Sequence, residues 1–202
     1  MKKLLITGFD PFGGGTINPA WEAVKLLPET IGNYQLRKLE IPTVYGEGAA
    51  RVLEAAEEFC PHLILCVGQA GGRSAVTPER IAVNIRDAKI PDNAGNRPVG
   101  EFVVAEGPAA YFTTVPVKAM ADAIVAAGLP GMVSNSAGAF VCNDTLYLLL
   151  HRFTGTDTRV GFVHVPYLPE QGTPSLPLKD TARALKAAIE ACGQQNEKGG
   201  TL

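Results

Sequence analysis

The 202-residue sequence predicts an α/β fold: one domain built as a three-layer α/β/α sandwich around a mixed, largely parallel sheet. Three observations carry that expectation. Short apolar runs alternate with amphipathic stretches of helical period along most of the chain. Helix-start and helix-stop residues, such as Asn18-Pro19 and Gly128, punctuate the amphipathic stretches. One run, Ile81 to Ile85, alternates apolar with polar residues and leads into a long loop, which argues against a purely parallel, doubly wound order.

The first element is the apolar run Lys3 to Thr7, a buried strand closed by Gly8. Asn18 then supplies an N-cap side chain and Pro19 the first helical position, with Trp21, Val24 and Leu27 at helical spacing. Leu36 to Ile41 reads as a strand, and Gly48 to Phe59 as a helix with Val52, Leu53, Ala56 and Phe59 on one face. His62 to Val67 is a second buried strand, running into the glycine-rich Gly68-Gln-Ala-Gly-Gly-Arg73. Beyond Ile81–Ile85, the stretch Pro91 to Pro108 is loop, with a short hairpin expected at Phe102–Val104. Val117 to Ala127 is helical and stops at Gly128, and Met132 to Asn135 is a short strand. A helix opens at Cys142 or Asn143 and runs to about His151; Arg159 to Val165 is the next strand. The last helix, Pro177 to Cys192, buries Ala182, Leu185, Ile189 and Cys192. Residues 1–193 thus form the domain, and the polar stretch 194–202 is expected to be a disordered tail.

Composition narrows the function classes. With 46% hydrophobic residues the chain can bury one sizeable core. A formal net charge of −2 leaves no electrostatic footprint for nucleic acid or an acidic membrane surface. The apolar run behind Lys2-Lys3 is too short for a secretory core, and no stretch approaches a membrane span. Cys60, Cys66, Cys142 and Cys192 keep neither metal-ligand nor disulfide spacing, so free thiols in a reducing, cytoplasmic setting are expected.

In an open α/β sheet, reactive groups collect where strands give way to loops and helix starts. Cys142 follows a strand and the small-residue connector Ser136-Ala-Gly-Ala139, at the start of a helix. A helix N-terminus lowers a thiol pKa and offers N–H groups to an oxyanion. His164 comes 22 residues later, near the end of the next strand, and a strand–helix–parallel-strand unit would bring the two together. Glu79 closes the loop that leaves the strand ending at Val67, at the same sheet edge. Together they make a nucleophile, a proton shuttle and a carboxylate that holds the imidazole tautomer. The residues alone also leave bland roles open: a packing thiol, a hydrogen-bonded strand-end histidine, a surface Glu79-Arg80 pair. Cys66 reads as a core thiol, Cys60 and Cys192 as structural, and neither His62 nor His151 is well placed for catalysis. Gly13-Gly-Gly15 lacks both the Gly-Lys-Ser/Thr ending and the Gly-x-Gly-x-x-Gly spacing of phosphate-binding loops.

Four segments, in order, resemble one family. They are Gly8-Phe-Asp-Pro-Phe-Gly-Gly14 with Asn18-Pro19; Gly68-Gln-Ala-Gly-Gly-Arg73 with Glu79-Arg80; Ser136-Ala-Gly-Ala-Phe-Val-Cys-Asn143; and Gly161-Phe-Val-His-Val-Pro166. Ile90-Pro-Asp-Asn-Ala-Gly95 fits as well. Across roughly residues 3 to 192 the chain is similar to the type I pyroglutamyl peptidases, also called pyrrolidone carboxyl peptidases. The resemblance implies a cysteine exopeptidase that removes an N-terminal pyroglutamyl residue from peptides through a thioester, with no metal or organic cofactor. It implies Cys142 as nucleophile, His164 as general base and acid, and Glu79 as the orienting partner. It also implies a pyroglutamyl pocket walled by Phe9, Phe12 and Phe140, with Asn18, Gln69 and Val141 nearby. A homotetramer is implied too. One departure is Lys89, where family members often carry an arginine near the oxyanion site. Lysine keeps the charge but not the planar fork.

Overall fold

In the computed structural model, which describes residues 1–194, the apolar runs stack side by side as a six-stranded sheet. The strands and helices follow in chain order. They are β1 (Lys2–Phe9), α1 (Pro19–Lys25), β2 (Thr30–Ile31), β3 (Tyr34–Ile41), α2 (Glu47–Phe59), β4 (Leu63–Gln69) and β5 (Thr77–Pro78). Then come β6 (Ile81–Val83), β7 (Ala110–Phe112), α3 (Val117–Ala126), α4 (Val141–Phe153), β8 (Arg159–Val165) and α5 (Leu178–Gln194). The sheet order is β2-β3-β1-β4-β8-β5. The four central strands are parallel, and the two edge strands run antiparallel to their neighbours.

Side-chain alternation sorts the central strands onto two cores. Leu4, Ile6, Leu63, Leu65, Val67, Val163 and Val165 pack against α1, α3 and α5. Leu5, Ile64, Cys66, Val160 and Phe162 pack against α2 and α4. Both faces of the sheet are therefore covered, which is why the central runs are continuously apolar. Asn18 caps α1 as its sequence suggests: its side-chain oxygen accepts the Ala20 N–H at 3.1 Å, and Pro19 fills the first turn.

Several elements differ from expectation. Ile81–Ile85 does not mix the main sheet; β6 pairs only with β7 in a separate two-stranded sheet lying over α4. The mixing comes from β2 and β5, each too short to register as a periodic run. The Phe102–Val104 hairpin is absent, because both partners are claimed elsewhere. Glu101 exchanges backbone hydrogen bonds with Arg86, and the Asn84 side chain takes the N–H and carbonyl of Val104. Met132–Asn135 forms no ladder; this segment makes isolated parallel bridges, Gly131 to Val76 and Ser134 to Glu79. Because β5 is antiparallel to β8, this segment is antiparallel to β8 as well. The unit around Cys142 is thus no parallel crossover. Proximity to His164 arises instead because α4 runs back along the sheet and feeds β8 directly, so its start lies over the end of that strand. Of the expected tail, Gln194 is the last residue of α5 and 195–202 lie outside the described residues.

Candidate active site

The ends of β1, β4 and β8, with the start of α4, surround one cavity of about 270 Å³. It is lined by Phe9, Phe12, Asn18, Thr43, Gln69 and Ala70, then by Arg73, Ser136–Gly138, Phe140, Cys142 and His164. His164 lies in β8 with Gly68 of β4 on one side and Thr77 of β5 on the other. Cys142, in the first turn of α4, packs over that ladder beside it. A Cβ on Gly68 would sit 2.9 Å from Cys142 Sγ and 2.8 Å from the Phe162 ring, so only glycine leaves room for the thiol there.

Glu79 stands just past β5, its N–H donating to the Phe162 carbonyl at 2.9 Å and its side chain wholly buried. Oε1 lies 2.7 Å from His164 Nδ1. A carboxylate only accepts, so Nδ1 carries the proton and Nε2 keeps its lone pair. The same oxygen accepts from Arg73 Nη1 at 2.6 Å. Arg73 is itself held by Thr77 Oγ1 at 2.5 Å and the Ser136 carbonyl at 3.1 Å.

The electrostatics set the resting state. Burial alone would raise the Glu79 carboxyl, but the hydrogen bond and charge of His164, with Arg73 beyond, hold it below the usual range. Burial pushes the His164 imidazole below the ordinary histidine value; Glu79 draws it back up, and Arg73 pushes it down. The expectation of a lowered thiol pKa is overturned. Cys142 is half-buried, and burial pushes its thiol up to about 12, with the nearby Glu79 charge adding to the rise. Arg73 and the residue's own N–H at the helix start oppose this and do not win. Both shifts favour a neutral thiol beside a neutral imidazole in the resting site.

The start of α4 is pinned by the two residues after the thiol. The Asn143 amide is fully buried and behaves like a strand's peptide group: Oδ1 accepts the Val83 N–H at 2.9 Å, and Nδ2 donates to the carbonyls of Val83 (2.8 Å) and Ile85 (3.1 Å). Asp144, also buried, accepts from Gly46 N–H at 2.8 Å, where α2 begins, and from Arg86 Nε at 2.6 Å. Burial raises the Asp144 carboxyl despite these two donors.

Of the residues expected in the pocket, Phe9, Phe12, Asn18, Gln69 and Phe140 line the cavity. Phe12 and Phe140 stand 6.1 Å apart between ring centres. Val141 is fully buried in the core beneath the start of α4, away from the cavity surface. Lys89 is exposed and also lies outside the lining. The neighbouring Ile90-Pro-Asp-Asn segment instead braces the rim: Asn93 Nδ2 donates to Asp10 Oδ1 (3.1 Å) and to the Pro11 carbonyl (2.9 Å). Asp92 folds that segment on itself by accepting the N–H groups of Tyr45, Ala94 and Asn96. Sequence reasoning missed Arg73, although it is the one cation of the glycine-rich segment and precedes Glu79 by six residues. Thr43 carried no signal, while Ala70 and Ser136–Gly138 fall inside family-resembling segments without being singled out as lining.

A thiol, an imidazole and a buried carboxylate in series at the strand ends of an α/β sandwich define a cysteine-type hydrolase. Comparison with known proteins agrees, and it is specific: the chain belongs to the pyroglutamyl peptidase family, whose model matches residues 2–195. It is 56% identical to the pyrrolidone-carboxylate peptidase of Levilactobacillus brevis over 196 residues, covering 94% of this chain and 96% of that one. The crystal structure of pyroglutamyl peptidase I from Bacillus amyloliquefaciens superposes with a TM-score of 0.92 at 46% identity, covering 95% and 97% of the two chains. The pyrrolidone carboxyl peptidase of Thermococcus litoralis superposes at 0.90 with 35% identity, covering 99% and 97%.

Proposed function

We propose that this chain is a cysteine exopeptidase that hydrolyses the amide bond after an N-terminal pyroglutamyl residue. The observation that carries the reading is the cavity itself: Cys142 and His164 open onto a small aromatic-walled space, with Glu79 buried behind the imidazole. A pyroglutamyl ring is a flat lactam whose methylenes suit the faces of Phe12 and Phe140 and whose polar edge needs few placed partners. The space is small, and a ring with no ammonium suits it.

His164 Nε2 takes the Cys142 proton as sulfur attacks the scissile carbonyl, because the thiol does not ionise on its own at neutral pH. The C–S bond forms, and the resulting oxyanion is met by N–H groups at the start of α4. Collapse breaks the C–N bond, and the imidazolium returns its proton to the leaving amine. Water, deprotonated by His164, then attacks the thioester; pyroglutamate leaves and the thiol is restored. Glu79 supports the imidazolium in both halves without taking its proton.

A cytoplasmic setting and a homotetramer belong to the same reading. Four free cysteines support the first, and the family resemblance supports the second. Among the described residues, no helix is long and apolar enough to cross a membrane.

The test is release of a fluorescent amine from pyroglutamyl, prolyl and glutamyl amides at equal concentration. Only the pyroglutamyl compound is expected to turn over, since the other two bring an ammonium into a cavity lined, among the described residues, by no acidic side chain. Cys142→Ser should abolish turnover with folding intact. Comparable cleavage of the prolyl amide would point to a broader aminopeptidase and end this assignment.

A further inference from the structure

Gln171 lies outside the cavity lining, in the turn after β8, yet it touches a residue that faces the cavity. Its own amide orientation is fixed by backbone groups, which have no ambiguity. The Leu168 N–H donates to Gln171 Oε1 at 2.9 Å, and the Gln171 N–H returns a bond to the Leu168 carbonyl at 2.9 Å. Oε1 is therefore the accepting end, and Nε2 must be the end that points away, toward the Ile17 carbonyl at 3.4 Å. The second contact of that Nε2 is the side-chain amide of Gln69, at 3.3 Å. An –NH₂ group can only donate, so the Gln69 atom facing it is the carbonyl oxygen.

We infer that Gln171 is a positioning residue that sets the direction of the Gln69 amide, so that Gln69 presents its N–H donors, not its carbonyl, to the cavity. This rests on the function proposed above and deepens it. A lactam ring offers one carbonyl acceptor on its polar edge, and a donor held toward it favours pyroglutamyl over rings that lack that oxygen. With Gln69 unheld, its amide turns freely and offers either end. With the direction reversed, two carbonyl oxygens face each other and the substrate is repelled.

The experiment compares Gln171→Met, which removes the hold, with Gln171→Glu, which reverses it. The carboxylate still accepts from Leu168 but offers Gln69 an acceptor, so the Gln69 amide turns its carbonyl into the cavity. Wild type is first shown to cleave the pyroglutamyl amide; an inactive wild type would overturn the proposed function, and this inference with it. Gln171→Glu is then expected to lower kcat/KM on the order of 10–100-fold, mostly through KM, as expected for losing one recognition hydrogen bond and gaining a repulsion. Gln171→Met should lose markedly less. The decisive arm is a double-mutant cycle with Gln69→Met. In that background Gln171→Glu should cause no further loss, because no amide remains to be turned. Equal losses for the two Gln171 variants, or a Gln171→Glu loss that persists undiminished without the Gln69 amide, would mean that Gln171 acts only on the loop and not on recognition.

Discussion

Gly68→Ala tests how closely the thiol depends on the strand beneath it. The new methyl would meet Phe162 Cζ at 2.8 Å, Cys142 Sγ at 2.9 Å and Phe162 Cε1 at 3.0 Å. Ordinary non-bonded separations are roughly 3.5–4.0 Å, so something must yield by roughly 0.6–1.1 Å. Phe162 is fully buried, packed against Phe9 on one side and the His164 ring 4.8 Å away on the other, and has little room to retreat. The displacement therefore falls largely on Cys142 or on the separation of α4 from the sheet. Misplacing a reacting group by about 1 Å costs on the order of 10²-fold in rate, while overpacking of this kind costs about 1–3 kcal/mol in stability. The expected variant is folded, unfolds at lower urea, and turns over a pyroglutamyl amide about a hundredfold more slowly with KM little changed. Iodoacetamide labelling of Cys142 against exposed Cys60 reports the displaced sulfur independently. A kcat within about threefold of wild type would refute the reasoning, because the sulfur could then not be seated where the ladder excludes a methyl.

Two further outcomes are expected. In Arg73→Met a cation that disfavours protonated His164 is gone, so the imidazole holds its proton to higher pH. The base must be neutral to act, so the acid limb of kcat/KM, which in wild type lies below the ordinary histidine value, should move upward in pH. An unmoved or lowered limb would show that Arg73 does not act on the imidazole. Asn143→Ala strips the partner from the Val83 N–H and one donor each from the Val83 and Ile85 carbonyls; the Val83 carbonyl keeps the Ile85 N–H at 2.9 Å, and a group left without any partner costs about 1–3 kcal/mol where it stays buried. Urea unfolding should show a loss of that order together with a lower kcat; unchanged stability would deny the amide its bracing role.

Much of the fold was legible because the central strands are buried on both faces and read as unbroken apolar runs, as in β1, β4 and β8. Helices with side-chain or glycine punctuation were equally plain, α1 through Asn18-Pro19 and α3 through Gly128. What escaped has a common cause. β2 and β5 are two residues long and β7 three, so no period can be read from them. β6 is a half-buried strand, but it pairs with the three-residue β7 on one edge and with the Asn143 side chain on the other, partners that no alternation pattern announces. Cys142, His164 and Glu79, which the structure brings together, could be picked out as candidates from their positions at strand and helix ends. The state of the thiol could not, since the helix start that lowers its pKa is visible in sequence and the burial that outweighs it is not. Arg73 and Gln171 went unassigned for a similar reason: each acts through another side chain, and its partner is chosen by the fold.

The Asn143 amide, standing where a neighbouring strand would offer its peptide group, also bears on how the chain reaches its native state. A three-residue strand such as β6 carries little information about register, and a slip of one residue would turn its side chains to the wrong face. The fork of one donor and two acceptors that Asn143 meets fits a single alignment of residues 83–85. A slipped chain would bury an amide with its partners missing, which is costly in a packed interior. Because that amide belongs to the residue next to Cys142, an alignment error there would also disturb the seat of the thiol. Chains that fold inaccurately at this point would thus be both less durable and inert, so that a proteolytic enzyme would come into being active only when correctly assembled.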